Sequence, residues 1–411
     1  MVPAGTRLNH VIDQSGVVLV IVAPGQGAQT PGFLTPWLEV PGFEDRMNWL
    51  SMCTDLDLVE FGTKADAETI RDTAVAQPLL VAAGLVPLLS LFPHPSDAFH
   101  RVGAGAGHSV GEITAAAAAG VMSAEQAMVF VRERGRAMAL AAAAVPSGMT
   151  AVLGGDPDQV LAKIAEHGLY PANNNGGGQI IAGGSMDDLA RFADDAPEGT
   201  RLRPLSVAGA FHTPFMAPAV ETLRGLSRAI STHDARTRLI SNVDGEVVHS
   251  GRDFLRRIVT QVSNPVRWDL CMKAMGDLGV TGVIEVPPAG TLSGLIRRNL
   301  PGIDVVALKT PDDLPAALEV VDKHGSPSPL DASPSWRMLV APAKGTFRRA
   351  GVAEGNDLDP GSEIGTLVTL RDEQSVSAPH GGTIIEWLVE DGDPVAPGQP
   401  LVRLHPREGT S

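Results

Sequence analysis

The sequence predicts an α/β protein that carries a small inserted domain and ends in an all-β unit. Three observations support this fold class. Residues 17–22, VVLVIV, form a continuous apolar run, which is typical of a central strand buried on both faces of a parallel sheet. Residues 147–207 follow a β-α-β-β-α-β order, and residues 336–405 contain an internal repeat.

The first part of the parallel-sheet core is predicted for residues 16–146. Its first strand, residues 17–22, ends in a Pro-Gly turn, and a later segment leads into a turn around Ser109. Helical patterns follow the first strand in four places: 67–76, 79–91, from 112 onward, and 124–144. Strands that alternate with helices indicate crossover connections, and hence a parallel sheet.

Residues 147–207 predict a small domain with the ferredoxin-like order of elements. Its strands and helices are expected in four places: 149–153, 156–167, 186–193 and 201–207. Two short extended pieces flank the run NNNGGG at 173–178. This order indicates a small lid domain inserted into the larger one.

The parallel-sheet core resumes over residues 208–323, so that the small domain interrupts it. Its strands and helices are expected in five places: 220–229, 239–242, 254–262, 282–286 and 292–299. Residues 324–335 then form a linker by composition, because they are rich in Ser and Pro.

Residues 336–405 contain two copies of one sequence pattern. The pattern APxxGT begins at Ala341 and again at Ala378, an offset of 37 residues, and Gly355 recurs as Gly392 at the same offset. Each copy is typical of short strands joined by Pro/Gly turns. The two copies are therefore expected to close over a shared core as two half-barrels.

Composition and charge exclude several classes of function. The net charge is −15 and no long Lys/Arg run occurs, which argues against nucleic acid or an anionic membrane as main partners. The two cysteines, Cys53 and Cys271, lie far apart and belong to no Cys/His cluster. Neither a disulfide scaffold nor a metal site is therefore expected.

The sequence predicts neither a signal peptide nor a membrane helix. The apolar run near the N-terminus, residues 17–23, leads directly into a Pro-Gly turn. The longest apolar region, residues 78–92, is interrupted by Pro87 and falls short of the roughly 20 residues that a membrane helix needs. We therefore expect a soluble protein of the reducing cytoplasm.

The most informative motif is GHSVGE at residues 107–112. A Gly-x-Ser-x-Gly turn places a nucleophilic serine, here Ser109, at a sharp corner between a strand and a helix, where only small neighbours fit. The helix N-terminus supplies N–H donors and a partial positive charge beside that serine. The pentapeptide is a common pattern by itself, so its meaning depends on other segments.

One such segment is PGQGAQ at residues 24–29, directly after the first strand. In an open parallel sheet, ligands bind at the edge where the strands end. The backbone N–H groups of Gln26 and Val110 are therefore a candidate oxyanion hole. By itself the segment favours an ordinary Gly-rich turn.

The general base is expected from one of two histidines in small-residue surroundings. His212 lies in GAFHT at residues 209–213, after a strand and before a helix with proline in its first turn. His108 is adjacent to Ser109, and its side chain should point away from the reacting face of the serine. His212 is therefore the better candidate, although a single histidine is more often structural.

These motifs resemble those of malonyl-CoA:acyl-carrier-protein transacylases over about residues 16–323. Besides GQGAQ, GHSVGE and GAFH, further matches follow in chain order: RGRAM at 134–138, SNVDG at 241–245, Gln261 with NPVRW at 264–268, and EVPPAG at 285–290. The resemblance implies an α/β-hydrolase-like core with the inserted small domain. It also implies transfer of malonyl from malonyl-CoA to the phosphopantetheine thiol of acyl carrier protein, without a bound cofactor, for fatty acid or polyketide synthesis.

The resemblance implies a catalytic role for five residues. Ser109 would be the nucleophile that attacks the thioester. His212 would be the general base, oriented by the backbone carbonyl of Gln261 instead of a carboxylate. Gln26 and Val110 would supply the oxyanion N–H groups.

The resemblance also implies three substrate-binding residues. Arg134 would hold the malonyl carboxylate, which a bidentate guanidinium binds while disfavouring uncharged acyl groups. Spacing alone does not distinguish it from Arg132 and Arg136 on the same helix. Asn242 is similar to an asparagine near the site of the family, and Phe211 is similar to a residue of malonyl-selective members, where a bulky ring fills the space of a methyl branch.

The C-terminal repeat, residues 336–405, resembles a biotinyl/lipoyl carrier domain, an all-β barrel-sandwich. Such domains present a modified lysine at a hairpin between the two halves, and by spacing the equivalent position here is Arg371. No lysine follows Lys344, and an arginine cannot be acylated as a lysine amine is. We therefore expect neither biotin nor lipoate, and docking, assembly and a retained fusion stay open as roles.

The whole sequence thus predicts an S-malonyltransferase that works through a malonyl-serine intermediate. Two alternatives remain at this point: a serine thioesterase or hydrolase acting on acyl-CoA, and a scaffold whose C-terminal domain matters most. Arg134 and the loop of Gln26 argue against the hydrolase.

Overall fold

The computed structural model describes residues 16–93, 98, 101–325, 337–369 and 372–405. The chain forms two compact units, Met1–Asp331 and Ala332–Ser411, and each is described by itself. Residues 326–335 of the predicted linker and the hairpin residue Arg371 lie outside the described residues.

The first unit alternates strands and helices. Its first part comprises β1 (Leu19–Ala23), α1 (Phe43–Ser51), α2 (Leu58–Thr63), α3 (Thr73–Leu85), α4 (Leu88–Leu91), β2 (Ala104–Gly107), α5 (Gly111–Ala118) and α6 (Ala124–Ala144). There follow β3 (Ser147–Gly154), α7 (Pro157–Glu166), β4 (Tyr170–Asn174), β5 (Gln179–Ser185), α8 (Met186–Asp194) and β6 (Thr200–Pro204). The last part comprises α9 (Ala217–Ser227), β7 (Arg238–Ile240), β8 (Val247–Val248), α10 (Gly251–Gln261), β9 (Val266–Arg267), α11 (Trp268–Asp277), β10 (Gly282–Glu285), α12 (Thr291–Asn299), β11 (Asp304–Ala307) and α13 (Leu314–His324).

The larger sheet of this unit has the strand order β11-β10-β1-β2-β7-β8, and its strands are parallel except at the β7–β8 edge. Every residue of β1 is buried. Leu19 and Ile21 belong to one hydrophobic cluster, while Val20 and Val22 belong to another, because alternate side chains of a strand point to opposite faces. The apolar run is therefore the doubly covered central strand that the sequence predicts.

The parallel sheet brings two sequence motifs to one edge. β1 and β2 end side by side, with Ala23 paired to Gly107. The loop at residues 24–29 follows β1, and the turn of Ser109 follows β2. The N–H of His108 donates to the carbonyl of Ala23 at 2.9 Å, which joins the two segments where they leave the sheet.

The predicted division into helices at 67–76 and 79–91 is wrong. α3 begins after Asp72, whose side chain caps it, and continues through Pro78 without a break. Most of α3 is buried, and this packing overrides the local preference against a proline in a helix. The break falls instead at Pro87, which is the N-cap of α4.

One stretch among the described residues, Thr73–Leu91, is long and apolar enough to cross a membrane by length and composition. It is 67% buried inside the protein, which is typical of a core helix in a globular fold. Burial within the first unit explains its apolar composition without a membrane.

The smaller sheet of the first unit has the strand order β6-β3-β5-β4-β9. β3 to β6 pair antiparallel in the order 4-1-3-2, which is the order of a ferredoxin-like sheet. α7 and α8 contribute Val160, Ile164 and Phe192 to a hydrophobic cluster shared with this sheet. β9, from the later part of the chain, pairs parallel to β4 and so extends the small sheet.

The second unit consists of short strands. They are β12 (Arg337–Val340), β13 (Gly345–Arg349), β14 (Asp357–Leu358), β15 (Ser362–Val368), β16 (Glu373–Ala378), β17 (Gly382–Trp387), β18 (Pro394–Val395) and β19 (Pro400–His405). Two four-stranded sheets result, with orders β12-β19-β17-β14 and β16-β15-β13-β18. An offset of 37 residues relates β13 to β17, β14 to β18 and β15 to β19, so the repeat of the sequence is a repeat of strands.

The two sheets of the second unit exchange strands between the halves of the repeat. Each sheet contains two strands from the first half and two from the second. Phe347, Leu367, Leu401 and Leu404, from both halves, belong to one buried cluster. The halves therefore share a single core.

Candidate active site

Ser109 occupies a strained turn between β2 and α5. Its φ is +54°, a left-handed conformation that a non-glycine residue seldom adopts. A Cβ on Gly107 would lie 2.0 Å from the carbonyl carbon of Gly111, and a Cβ on Gly111 would lie 2.2 Å from the carbonyl oxygen of Ala23. Both glycines of the motif are therefore required by close backbone packing, as the sequence predicts.

His212 lies within hydrogen-bond distance of the serine. The hydroxyl Oγ of Ser109 is 2.7 Å from Nε2 of His212, and Nδ1 is 2.8 Å from the backbone carbonyl oxygen of Gln261. A carbonyl can only accept, so Nδ1–H donates to it and Nε2 is left to accept the serine proton. This arrangement suits an imidazole that deprotonates Ser109.

The environment keeps His212 neutral. Burial, together with the positive charge of Arg134, lowers the pKa of its imidazole to about 3, while the carbonyl of Gln261 acts in the opposite direction. The ring therefore remains an unprotonated base at any ordinary pH.

Arg134 is the arginine of its helix that faces the site. It is fully buried on α6, whereas the side chains of Arg132 and Arg136 are partly exposed. Its Nη2 donates to Oε1 of Gln261 at 2.7 Å and lies 3.3 Å from Oγ of Ser109. Nη1 donates to Oε1 of Gln77 at 2.6 Å, and Nε has no hydrogen-bond partner among the described residues. Burial and contacts thus distinguish Arg134 from Arg132 and Arg136, which spacing alone does not.

Asn242 fixes the backbone of the serine turn. Its Oδ1 accepts the N–H of Ser109 at 2.8 Å, and its Nδ2 donates to the carbonyl of Gly107 at 2.7 Å. Asn242 is fully buried just after β7. Its observed contacts therefore support the turn.

Glu112 is a site residue that the sequence interpretation missed, although it ends the GHSVGE motif. It is fully buried, and its two carboxylate oxygens accept the backbone N–H of Asn242 at 2.6 Å and Nε2 of Gln261 at 2.5 Å. Burial raises the pKa of its carboxyl to about 8, while the donated N–H and the charge of Arg134 act in the opposite direction.

A cavity of about 560 Å³ opens onto Ser109 and His212. Gln26, Val110 and Phe211 also line it. Within the described part of the chain, the backbone N–H groups of Gln26 and Val110 make no hydrogen bond, so both remain available to a ligand. This is the property that the predicted oxyanion hole needs.

His108 makes no hydrogen bond to the neighbouring Ser109. Its Nε2 is 2.9 Å from Oδ1 of Asn175, a residue of the small sheet region, and its ring lines the same cavity. Burial lowers the pKa of His108, which favours the neutral form of this ring. Among the described residues, no group of three or more His, Cys, Asp or Glu could hold a metal ion.

Comparison with known proteins identifies the family. A model of the acyl transferase domain matches residues 20–308. The malonyl CoA-acyl carrier protein transacylase of Mycobacterium tuberculosis is 47% identical over 302 residues, which cover 72% of this chain and 98% of that protein. The chain belongs to the malonyl-CoA:acyl-carrier-protein transacylase family. The enzyme of that name from Bacillus subtilis is 31% identical over 318 residues, 74% of this chain and 98% of that protein.

Solved transacylase structures have the same mixed α/β fold. The crystal structure of MCAT from Mycobacterium tuberculosis matches with a TM-score of 0.71 at 46% identity, and covers 73% of this chain and 99% of that chain. A second match is PlMCAT with AntF, a type II PKS acyl-carrier protein in complex with its malonyl-transacylase, with a TM-score of 0.68 at 28% identity. It covers 74% of this chain and 99% of that chain.

Because the imidazole at this transacylase site is neutral, the rate at which Ser109 reacts should not depend on pH between pH 7 and pH 5. An uncharged serine reagent such as a fluorophosphonate should label Ser109 at nearly the same rate at pH 7 and pH 5, because the lowered pKa keeps His212 in its basic form. A histidine with an ordinary pKa near 6.5 would lose roughly 25-fold over this interval. Labelling rates of the wild type and His212→Ala across this range provide the measurement. A fall of more than tenfold with a midpoint between pH 6 and 7 would contradict the expectation.

Proposed function

We propose that this chain transfers malonyl from malonyl-CoA to the phosphopantetheine thiol of an acyl carrier protein through a malonyl-Ser109 intermediate. The observation that carries the proposal is the position of Arg134. Its buried guanidinium lies 3.3 Å from the serine hydroxyl, and no carboxylate of the described residues lies within 4.0 Å of it. A substrate carboxylate on an acyl group at Ser109 would complete that pairing.

The first half-reaction uses Ser109 and His212. Nε2 of His212 accepts the hydroxyl proton while Oγ attacks the thioester carbonyl carbon. The C–O bond forms and the C–S bond breaks, and the imidazolium returns its proton to the departing CoA thiolate. The developing negative charge on the carbonyl oxygen would be bound by the backbone N–H groups of Gln26 and Val110.

The second half-reaction reverses the roles of the thiol and the serine. The phosphopantetheine thiol gives its proton to Nε2 of His212 and attacks the malonyl ester. The C–S bond forms, the C–O bond breaks, and Ser109 recovers its proton. The carbonyl of Gln261 stabilises the imidazolium in both halves by accepting Nδ1–H, in place of the carboxylate of a protease triad. These side chains supply all the chemistry, so the reaction needs no resident cofactor.

Phe211 supports malonyl over branched extender units. Its side chain is almost fully buried and lines the cavity directly beside His212. A methyl branch on the α-carbon would need part of the volume that this ring fills. We assign Phe211 to substrate selection on this ground.

The second unit is proposed to be a biotinyl/lipoyl-like domain that carries no modification. Its two sheets, each built from both halves of the repeat, agree with the barrel-sandwich that the repeat predicts. By sequence spacing, the position of the modified lysine of such domains is occupied by Arg371, and a guanidinium does not form that amide. The proposed domain boundaries are 16–146 with 208–323 for the larger domain, 147–207 for the small one, and 336–405 for this unit.

The proposed reaction takes place between soluble partners, malonyl-CoA and acyl carrier protein. No membrane or nucleic-acid partner is part of it, in agreement with the net charge of −15. The cytoplasm is the expected location, since malonyl-CoA is a substrate of cytoplasmic synthesis.

Loading of the enzyme tests the proposed function directly. Incubation with malonyl-CoA should add the mass of one malonyl group to Ser109, and addition of holo acyl carrier protein should remove it. Intact-protein mass spectrometry measures both steps. Ser109→Ala should remain unlabelled, whereas Ser206→Ala, a change in the same cavity, should still load. Rapid release of free malonate without a labelled intermediate would favour the thioesterase alternative.

Removal of the guanidinium should abolish discrimination between acyl groups. In Arg134→Ala, kcat/KM for malonyl-CoA should fall by about 100-fold or more, because a buried charge-assisted pair contributes several kcal/mol. Loading of acetyl-CoA, which has no carboxylate, should change by less than about tenfold. Arg132→Ala on the same helix is the matched control. Equal losses for both thioesters would show that Arg134 supports the fold or the nucleophile and not the malonyl carboxylate.

The second unit should be dispensable for the chemistry. A chain truncated after Asp331 should load malonyl at a rate within about threefold of the full chain, since the proposed reacting groups all lie in the first unit. Mass spectrometry of the full chain from a host with biotin and lipoate ligases should show neither modification. Complete loss of loading in the truncated but folded chain would revive the scaffold alternative.

A further inference from the structure

The site contains a second buried ionisable group besides Arg134. Glu112 lies in the first turn of α5, one helical turn from Ser109, and is fully buried. Both of its carboxylate oxygens accept N–H donors, one from the backbone of Asn242 and one from the side chain of Gln261. The proposed mechanism gives this carboxyl group no task.

The Gln261 side chain connects Glu112 to Arg134. Its Oε1 accepts Nη2 of Arg134 at 2.7 Å, and its Nε2 donates to Glu112 at 2.5 Å. One amide thus lies between the guanidinium and the carboxyl group. Each group also alters the pKa of the other through its charge, which is expected for two charges at short range in a medium from which water is excluded.

We propose that Glu112 is a specificity-determining residue whose protonation state sets how strongly Arg134 holds the malonyl carboxylate. In its ionised form Glu112 competes with malonyl for the positive charge of Arg134, and in its neutral form it permits malonyl to bind. This inference rests on the proposed function, because it concerns the charge of the malonyl group on Ser109.

The physical basis is the charge balance of the closed site. Arg134 and ionised Glu112 together are neutral, so a malonyl carboxylate would add one uncompensated negative charge to a buried cluster. Uptake of a solvent proton by Glu112, with formation of one O–H bond, restores neutrality. An acetyl group adds no charge and therefore does not require this proton.

Gln261 can accommodate the protonated acid. When the malonyl carboxylate takes over Nη2 of Arg134, Oε1 of Gln261 loses the donor that it accepts in the empty site. The side-chain amide is then free to turn and present Oε1 to the new O–H of Glu112. The backbone carbonyl of Gln261, which holds His212, does not take part in this rotation.

The other titratable and charged groups around Glu112 have pKa values outside the interval from pH 8 to pH 9 in which the ratio should change. They are Arg134 on α6, His108 in the serine turn, His212 before α9, Arg257 on α10 and Cys271 on α11. Burial lowers the pKa of both histidines and raises that of the thiol well above its usual range. Burial lowers the pKa of Arg134 to about 10, so its guanidinium is still mainly cationic at pH 9. The guanidinium of Arg257 is paired with Asp244 at 2.7 Å.

The sign of the effect follows from linkage. Burial raises the pKa of Glu112, and a malonyl carboxylate at Arg134 raises it further. At every pH at which Glu112 is ionised in the empty site, malonyl loading is therefore accompanied by uptake of a proton by Glu112. The ratio of kcat/KM for malonyl-CoA to kcat/KM for acetyl-CoA is therefore constant below the pKa of Glu112. Above the pKa of Glu112 it falls by up to about tenfold per pH unit.

The experiment is the ratio of kcat/KM for malonyl-CoA to kcat/KM for acetyl-CoA, measured on the full chain from pH 6 to pH 9. His212 acts on both thioesters alike and cancels in this ratio. In the wild type the ratio should be flat near neutrality and should fall by several-fold to tenfold between pH 8 and pH 9. In Glu112→Gln, which is neutral at every pH, the ratio should be flat throughout. Glu133→Gln, next to Arg134 but partly exposed, should keep the wild-type profile.

A second measurement uses only the wild type, so that the inference can be tested even if Glu112→Gln does not fold. Calorimetric loading at pH 8.5 in two buffers of different ionisation enthalpy should show net proton uptake, up to one proton, with malonyl-CoA and none with acetyl-CoA. A flat wild-type ratio, a declining ratio in Glu112→Gln, or equal proton uptake for both thioesters would each overturn the inference. Absence of malonyl loading at every pH would instead refute the proposed function.

Discussion

Gln261 is the residue on which the arrangement of the site depends. Its backbone carbonyl orients His212, its Oε1 holds the guanidinium of Arg134, and its Nε2 donates to Glu112 and to the carbonyl of Ser109. One residue at the end of α10 therefore joins the nucleophile, the base and both buried ionisable groups. Because these contacts come from one backbone unit and one planar amide, the distances between the reacting groups are correlated and do not vary independently.

The sequence predicts the features of the site that depend on residues close together in the chain. Gly107 is required by a contact within the turn itself and Gly111 by a contact with the end of β1, so their spacing already indicates where Ser109 lies. Arg134 depends on the rotation of α6 against α3, which residue spacing does not reveal. Glu112 was missed because a glutamate in a first helical turn is ordinarily a solvated residue, and only the packing around α5 makes it a buried charge.

The same distinction applies to the fold. α6 begins and ends at the predicted residues, and Ser123 with Gln126 forms a capping box at its start. The helices around Pro78 were divided wrongly, because tertiary burial of α3 outweighs a local signal. The 37-residue repeat predicted paired strands in the second unit, but a period carries no information about which sheet each strand joins.

The exchange of strands in the second unit has a topological consequence. Neither half of the repeat contains a complete sheet, since β12 and β14 of the first half border β19 and β17 of the second, and the reverse holds in the other sheet. A single copy of the repeat thus cannot form these sheets as a monomer, because a second copy has to supply the missing strands. Two separate 37-residue chains could in principle assemble as an intertwined dimer, and covalent tandem duplication turns that bimolecular association into an intramolecular one that no dilution can reverse.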